Sequence, residues 1–264
     1  MEPSPVTAGS STPGLAGALP WLRHARRILV FTGAGISTES GIPDFRGPNG
    51  VWKTTDPARY TIQNYVKDRS VRVERWRARL EGRFSDAQPN AAHLAVTRLQ
   101  RAGLAPVAVT QNIDGLHQKA GTVNVIELHG TSSQAMCLDC DRRIPIEVAL
   151  DRVREGDEDP HCELCGGLLK TATISFGQPL VAGDMDRALE EARLCDVCLT
   201  VGSTLSVWPA ASVPVAAVRE GARLVIVNQG VTDLDGMATL ILSGGAGAVM
   251  TELTTALLGD EDSR

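Results

Sequence analysis

Short apolar runs alternate with amphipathic stretches along most of the chain. Such runs are typical of buried β-strands, and they occupy residues 28–31, 107–110, 123–128, 172–176, 197–201, 224–227 and 240–242. Helical signals lie between them, over residues 22–27, 90–102, 184–193 and 249–258. Strands that alternate with helices predict an α/β fold with a doubly wound, mostly parallel, Rossmann-like sheet.

Two segments interrupt this alternation and are predicted to form a smaller part beside the sheet. Residues 47–86 place Val73, Trp76, Leu80 and Phe84 on one helical face, which indicates a helical insertion. Residues 131–170 contain four cysteines and form a second insertion. The sheet domain is then assigned to residues 21–46, 87–130 and 171–258, and terminal tails to residues 1–20 and 259–264. The first tail is rich in Pro, Ser, Thr, Gly and Ala, so we expect it to be disordered.

Charge and hydropathy narrow the class of protein. A net charge of -5 gives no general attraction to nucleic acid or to anionic membranes. Seven basic and three acidic residues between Lys67 and Arg83 form either a solvated helix face or a docking patch for an anionic partner. No apolar run approaches the roughly 20 residues of a membrane span. The N-terminus lacks the basic start and apolar core of an export signal, so we expect a cytoplasmic protein.

Six cysteines in a cytoplasmic chain favour metal binding or burial over disulfides. Four of them form two C-x-x-C pairs with 21 residues between the pairs: Cys137, Cys140, Cys162 and Cys165. Four thiolates at this spacing predict a closed, tetrahedral, structural zinc site, with the neighbouring His161 as an alternative ligand. Cys195 and Cys198 share the spacing but lie at a predicted strand, where residues three apart point to opposite faces. These two cysteines are therefore predicted to be core residues.

The first predicted strand runs into Gly33 and Gly35, where the backbone can turn tightly and lie against a ligand. A helix that starts directly after them would favour phosphate at its N-terminus, and a plain turn is the alternative. The segment departs from the usual dinucleotide fingerprint, because Thr38 stands where a third glycine is expected and no second strand with a ribose-binding acid follows. It therefore indicates a dinucleotide-type pocket that differs from the pocket of an ordinary dehydrogenase.

Several motifs occur along the chain in one order. They are Gly33-Ala34-Gly35-Ile36-Ser37, Gly41-Ile42-Pro43-Asp44-Phe45-Arg46, Gln111-Asn112-Ile113-Asp114, His129-Gly130, the four cysteines and Gly202-Ser203-Thr204. In this combination the chain closely resembles the sirtuin family of NAD-dependent protein-lysine deacylases, over about residues 21–258. The resemblance implies NAD as a co-substrate, one structural zinc ion, and acyl-lysine proteins or peptides as substrates.

The resemblance also implies which residues hold NAD. The pyrophosphate would lie against Gly33, Ala34, Gly35, Gly202, Ser203 and Thr204. The adenosine end would contact Asn228, Gly245 and Ala246. The nicotinamide end would contact Gln111 at the ribose and Asn112 and Asp114 at the amide, with Ile42 and Phe45 packed nearby. The predicted set is completed by Ser37, Asp44, Ile113 and Arg46, of which Arg46 would order the loop over the cofactor.

Catalysis by His129, Asn112 and Asp114 follows from the same resemblance. The acyl-lysine carbonyl oxygen attacks the ribose carbon that bears nicotinamide, and nicotinamide leaves. A ribose hydroxyl then attacks the resulting imidate after His129 removes its proton, and a histidine titrates in a suitable range for this task. The expected products are lysine, nicotinamide and an acylated ADP-ribose. A mono-ADP-ribosyltransferase and a non-catalytic NAD-binding module are the alternatives.

Two positions depart from the family pattern. The strand before the peptide cleft usually ends Phe-Gly-Glu, whereas this chain has Phe176-Gly177-Gln178, and a usual proline is replaced around Lys170 and Thr171. Backbone pairing with a peptide tolerates such side-chain changes, so we still expect strand addition. The family's Tyr-x-x-Arg pair for acidic acyl groups is missing after Tyr60 and Tyr65, which disfavours succinyl-lysine and malonyl-lysine.

Overall fold

A computed structural model describes residues 12–47, 50–82 and 86–259 of the chain. Its strands are β1 (Ile28–Thr32), β2 (Ala108–Thr110), β3 (Val125–Glu127), β4 (Gly130–Cys137), β5 (Arg143–Pro145), β6 (Leu169–Thr173), β7 (Val197–Val201), β8 (Arg223–Asn228) and β9 (Leu240–Ser243). Its helices are α1 (Leu15–Leu22), α2 (Ile62–Lys67), α3 (Arg69–Leu80), α4 (Ala91–Arg101), α5 (Leu116–Lys119), α6 (Ile146–Arg154), α7 (Ala182–Leu194), α8 (Ser212–Arg219) and α9 (Ala246–Leu258). Within these described ranges, none of the helices combines the length and the apolar character that a bilayer span requires.

The central sheet contains six parallel strands in the order β3-β2-β1-β7-β8-β9. Strand β1 pairs in parallel with both β2 and β7. The strand order reverses between β1 and β7. Strands β2 and β3 follow one another on one side of β1, and β8 and β9 follow one another on the far side of β7. Open α/β sheets bind ligands at the carboxyl ends of the strands beside such a switch point. The predicted doubly wound, mostly parallel sheet is confirmed.

Helices cover both faces of the central sheet. On one face, α1, α4 and α9 contribute buried residues such as Leu22, Leu99 and Leu253. On the other face, α7 and α8 contribute residues such as Ala188 and Val213. Every residue of β1 and of β7 is buried, as expected for parallel strands with both faces covered. The ends of these strands, rather than their faces, are therefore where polar chemistry can reach a ligand.

A smaller antiparallel sheet has the order β5-β4-β6. Helices α3 and α6 pack on it, and Trp76 of α3 is buried in one apolar cluster with Ala149 and Leu169. The guanidinium of Arg72 in α3 donates to both carboxylate oxygens of Asp159, at 2.9 and 2.8 Å. The helical segment and the cysteine-containing segment therefore pack together as one unit.

The two C-x-x-C pairs meet beside the small sheet. The four Sγ atoms, of Cys137, Cys140, Cys162 and Cys165, all lie within 4.8 Å of one another. The Sγ atoms of Cys137 and Cys165 are 3.5 Å apart, and those of Cys140 and Cys162 are 3.8 Å apart. Zn–S bonds of about 2.3 Å give about 3.8 Å between the sulfur atoms of a tetrahedron, so these residues fit a structural zinc ion. His161 is not part of this group, and its Nδ1 lies 2.8 Å from the carbonyl oxygen of Gly166.

The N-terminal predictions are wrong in part. Residues 15–22 form α1, so the predicted disordered tail over residues 1–20 does not extend to Leu15, and α1 ends where the predicted helix over residues 22–27 was to begin. The apolar spacing of Leu15, Ala18 and Leu22 buries these side chains against the core that includes α9. The Pro- and Gly-rich composition of the segment hides this spacing. Residues 1–11 lie outside the described part of the chain, as does Phe84 of the predicted helical face.

The strand predicted over residues 172–176 is also misplaced. The structure has β6 at Leu169–Thr173, paired antiparallel with β4 in the small sheet. The predicted return to the sheet domain at residue 171 therefore falls inside a strand of the smaller part. An apolar run indicates a strand but does not show which sheet it joins.

Two further predictions concern the segment before β7. The helix predicted over residues 184–193 begins at Ala182 in the structure, so Asp184 lies in the first turn of α7 and is not its N-cap. Cys195 and Cys198 are buried in the core, as predicted.

Replacing Cys137 by Ala is expected to remove the zinc ion and to unfold the small sheet, because zinc binding energy is folding energy at such a site. Zinc content by mass spectrometry and thermal denaturation check this prediction. The matched control is Cys195→Ala, a buried cysteine outside the cluster, which should keep its zinc. Normal zinc content and normal melting in Cys137→Ala would show that the four-thiol site has no structural role.

Candidate active site

A cleft of about 570 Å³ lies at the carboxyl ends of β1 and β7, where the strand order reverses. Most of the predicted NAD residues line it: Gly33, Ala34, Gly35, Asp44, Phe45, Arg46, Gln111, Asn112, His129, Gly202, Ser203, Thr204, Asn228 and Ala246. The other predicted residues are not among those that line the cleft: Ser37, Ile42, Ile113, Asp114 and Gly245. Lining residues that the sequence did not single out are Thr38, Gly47, Lys53, Val207, Val227, Gln229, Gly230, Val231 and Gly244.

The loops after β1 and β7 touch backbone to backbone. The N–H of Gly35 donates to the carbonyl oxygen of Gly202 at 2.7 Å. A Cβ atom added to Gly33 would lie 2.8 Å from that same oxygen, and one added to Gly35 would lie 2.8 Å from the Cα of Gly202. Gly202 has φ +63, and a Cβ there would lie 2.2 Å from the nitrogen of Ile36. Side chains do not fit here, so bare peptide groups form the cradle that a pyrophosphate requires.

Of the two alternatives that the sequence left open after the first glycines, the structure has the turn and not the helix. The chain makes a short 3-10 turn over Ala34–Ile36. A helix N-terminus still reaches the cleft, but it belongs to α9, whose first residue Ala246 lines the wall. The Glu39 carboxylate accepts a hydrogen bond from the N–H of Gly247 at 3.0 Å and so caps this helix. The positive end of α9 is therefore partly neutralised by the protein itself.

Asn112 is held by a short chain of side chains. Its Nδ2 donates to the carbonyl oxygen of Gly33 at 3.2 Å and to Ser37 Oγ at 3.1 Å. Ser37 Oγ in turn donates to Asp114 Oδ2 at 2.7 Å. Asp114 Oδ1 accepts from the N–H of Leu116 at 2.9 Å. Both amide hydrogens of Asn112 are thus occupied, which leaves its Oδ1 as the group to meet an amide N–H in the cleft.

Two buried histidines lie beneath these hydrogen-bonded side chains, and the sequence did not single them out. His93 Nε2 lies 3.5 Å from Ser37 Oγ, and its Nδ1 takes part in the capping box that Asn90 forms at the start of α4. His117 Nε2 lies 2.9 Å from Thr32 Oγ1. Burial lowers the pKa of His93 to about 4 and that of His117 to about 3. Both rings are therefore neutral near pH 7, and neither histidine places a positive charge beside Asp114.

The imidazole of His129 lines the cleft in one defined tautomer. Its Nδ1 lies 2.9 Å from the carbonyl oxygen of Gln111, and because a carbonyl only accepts, Nδ1 carries the proton. Nε2 then bears the lone pair. Burial lowers the pKa of His129, and the bond to Gln111 offsets part of this effect. The Gln111 side chain donates to Ser203 Oγ at 2.9 Å, which ties the loop after β2 to the loop after β7.

The loop after β1 forms an aromatic wall beside the cleft. Phe45 stacks on Trp52 with ring centroids 5.1 Å apart, and Trp52 contacts Phe176 at 5.8 Å. The N–H of Trp52 donates to the carbonyl oxygen of Phe45 at 3.1 Å, and Asp44 Oδ1 accepts from the N–H of Gly47 at 2.9 Å. The loop is therefore folded on itself, and it places Phe45 and Arg46 in the lining.

The segment Phe176-Gly177-Gln178, which differs from the family pattern, joins the aromatic wall through the contact of Phe176 with Trp52. The N–H of Phe176 donates to Tyr60 O, and its carbonyl oxygen accepts from Ile62 N, both at 3.0 Å. Gln178 Oε1 accepts from the N–H of Ser175 at 3.1 Å, so this side chain closes a local turn where the family has a carboxylate. The backbone groups of Gly177 have no hydrogen-bond partner in the described part of the chain. These two backbone groups are therefore open to an external partner.

Comparisons with known proteins agree with this geometry. The model of the Sir2 family matches residues 33–209. The NAD-dependent protein deacetylase of Caldivirga maquilingensis is 45% identical over 225 residues, which cover 84% of this chain and 85% of that protein. The NAD-dependent protein deacetylase of Thermodesulfovibrio yellowstonii is 41% identical over 242 residues, which cover 91% and 94%. A solved structure of Sir2 with a p53 peptide and NAD+ has a TM-score of 0.81 and 35% identity, and the match covers 89% of this chain and 95% of that one.

The family match spans the glycine cradle, the Asn112 chain, His129 and the four-cysteine cluster. The identities to the relatives extend over most of both chains. This chain therefore belongs to the Sir2 family, the sirtuins.

Proposed function

We propose that this chain is an NAD-dependent protein-lysine deacetylase. The observation that carries the proposal is the Nε2 of His129, which has no hydrogen-bond partner in the described part of the chain and lies in a glycine-cradled cleft. A module that only binds NAD needs no base beside the cofactor. The relatives in Caldivirga and Thermodesulfovibrio are NAD-dependent protein deacetylases, which supports the same conclusion.

When bound, NAD supplies the ribose carbon whose bond to nicotinamide breaks and the ribose hydroxyl groups that receive the acyl group. The bare backbone at Gly33, Gly35 and Gly202 fits its pyrophosphate, since each of these positions excludes a side chain. Asn112 Oδ1 is the acceptor left to orient the nicotinamide amide. Asp114 positions Asn112 through Ser37.

His129 provides the base of the reaction. The Gln111 carbonyl fixes the proton on Nδ1, so Nε2 can take a proton from a ribose hydroxyl. Because burial lowers its pKa, the ring is neutral and able to accept that proton near pH 7. The acyl-lysine is expected to reach this base past Phe45, with the peptide backbone along Gly177. The Sir2 structure with a p53 peptide and NAD+ supports a peptide partner.

The proposal is tested by mass analysis after incubation of the protein with NAD and an acetyl-lysine peptide. Deacetylation predicts free lysine peptide, nicotinamide and O-acetyl-ADP-ribose in equal amounts. An ADP-ribosylated protein or peptide would instead establish the transferase reaction. No turnover with tight NAD binding would leave only the binding module.

We also propose the cytoplasm as the compartment. All six cysteines of the chain are free thiols, and the four that fit zinc need a reducing setting to stay so. Fractionation of the native cells with an antibody to the chain tests this proposal.

His129→Ala is expected to lower the deacetylation rate by about 10²–10⁴-fold, the usual contribution of a positioned general base. NAD affinity should change little, because His129 holds neither phosphate nor adenine. Product mass and calorimetric NAD binding are the two measurements. The control is His24→Ala, an exposed histidine outside the cleft. Wild-type turnover in His129→Ala would remove this residue from the mechanism.

Asp114→Ala should instead weaken the step that breaks the nicotinamide bond. It removes the acceptor that holds Ser37, and a charge-assisted bond of this kind contributes about 1.5–3 kcal/mol, or about 10–160-fold in rate. Exchange of labelled nicotinamide into NAD measures this step. Asp186→Ala, at an exposed position of α7, is the control. Exchange that falls less in Asp114→Ala than in His129→Ala would contradict the assignment.

The pH profile should also report His129. Because its pKa is lowered, the rate is expected to fall on the acid side with a midpoint below the ordinary histidine value of about 6.5. The ring protonates only below that midpoint, so the rate should be flat from there to pH 8. Measurement of kcat/KM for the peptide between pH 5 and pH 8 checks this. A midpoint above 7 would show that another group limits the rate.

A further inference from the structure

Lys170 is a buried cation without a counter-ion. It lies in β6, its residue is only 4% exposed, and none of the salt bridges among the described residues includes it. The Tyr65 hydroxyl of α2 donates to the carbonyl oxygen of the preceding Leu169 at 2.7 Å, and the positive charge of Arg75 in α3 lowers the pKa of Lys170. Buried lysines normally have a carboxylate partner, so this one calls for a physical explanation.

The ammonium is satisfied by oxygens of its own strand. Lys170 Nζ donates to the carbonyl oxygen of Thr171 at 3.1 Å, to the carbonyl oxygen of Thr173, and towards Thr173 Oγ1 at 3.4 Å. An ammonium has three protons, so all of them are used. Lys170 therefore has no donor left for a ligand, and its role lies in the shape of the strand.

The position of β6 as the last strand of the order β5-β4-β6 explains why these oxygens need a donor. The pairing of β6 with β4 is itself irregular. Ala135 of β4 pairs with Thr171, but the next pair joins Gly130 to Thr173. Residues 131–134 of β4 thus lie opposite Ala172 alone, and the regular ladder is interrupted there. The N–H of Ser132 within this bulge donates to Ile113 O in the loop after Asn112. Ala172 O and Ile174 N face β4, so the carbonyl oxygens of the alternate residues 171 and 173 face the open edge of β6. Lys170 supplies hydrogen bonds at that edge, where no neighbouring strand of the described chain does.

The segment that Lys170 fixes leads directly into the active site. The N–H of Ile174 donates to the carbonyl oxygen of His129 at 2.8 Å. A Cβ atom on Gly130 would lie 2.2 Å from the carbonyl oxygen of Ala172, so the two strands touch at this point. Gly177, with its open backbone groups, follows three residues after Ile174.

We propose that Lys170 is a positioning residue for the peptide: its ammonium joins the carbonyl oxygens of Thr171 and Thr173 at the open edge of β6 and so places Gly177 for pairing with the substrate. The proposal rests on the proposed deacetylase function. It assigns a specific effect on peptide binding to a side chain that is not among the lining residues of the cleft.

The test compares steady-state kinetics of Lys170→Met and Lys170→Arg with the wild type. Leaving the two carbonyl oxygens without their donor should raise the KM for an acetyl-lysine peptide in Lys170→Met by about tenfold. The KM for NAD should stay within about twofold, because the glycine cradle is on the other sheet. Lys170→Arg keeps a charged donor and should recover most of the peptide KM. Lys67→Met, at an exposed position of α2, is the control.

A purely structural role predicts a different result. Destabilisation alone lowers the amount of active protein and hence the apparent kcat, but leaves the peptide KM unchanged. A folded Lys170→Met with wild-type peptide KM, or with equal increases in both KM values, would overturn the proposal. Failure of the deacetylase function would be separate, because the wild type itself would then show no turnover.

The arginine variant keeps the proposal testable if Lys170→Met does not fold. Burial, together with Arg75, lowers the pKa of Lys170 from 10.5 to about 8. Between these two pH values the unfolded chain binds more protons than the folded one, so the wild type should gain stability as the pH rises. Arginine stays charged, so Lys170→Arg should lack this gain in thermal denaturation between pH 8 and pH 10. Equal pH dependence in both proteins would show that Lys170 is not a buried cation and would overturn the proposal.

Discussion

The site depends on the direct contact of two backbones at the switch point. Gly35 and Gly202 approach so closely that a Cβ atom on either would meet main-chain atoms of the other loop. This contact sets the spacing between the ends of β1 and β7. It also leaves peptide groups, not side chains, facing the cleft. The Gln111 and Asn112 side chains bond to Ser203 and to Gly33, so the nicotinamide end is built from the same two loops.

Beneath the cleft, burial determines the charge of the two histidine side chains. His93 and His117 lie with ring centroids 5.1 Å apart, and both are neutral because burial disfavours their charged forms. A neutral ring can accept or donate a hydrogen bond without a counter-ion. The carboxylate of Asp114 accepts hydrogen bonds from Ser37 Oγ and from the N–H of Leu116. These hydrogen bonds fix the side chain of Asn112 and leave its Oδ1 as an acceptor for a ligand in the cleft.

Local pattern and motif order were enough to predict most of the fold and the lining of the site. Buried parallel strands are continuous apolar runs, so β1, β7 and β8 are visible in the sequence, and the four cysteines have the spacing of a closed zinc site. What the sequence did not show depends on contacts between distant segments. The strand near residue 172 was assigned to the wrong sheet, Asp114 bonds to Ser37, which also bonds to Asn112, and His93 reaches Ser37 from a capping box on α4.

The small sheet connects the four-thiol cluster to the cleft. Strand β4 begins at Gly130, directly after His129, and ends at Cys137 in the four-thiol cluster. A zinc ion held by the thiols would therefore fix the far end of the strand that follows His129. Lys170 bonds to carbonyl oxygens of the neighbouring segment, in which the N–H of Ile174 donates to the carbonyl oxygen of His129. Groups outside the cleft thus reach the histidine through the two segments that flank it, which is the physical basis for the effects expected of the zinc ion and of Lys170.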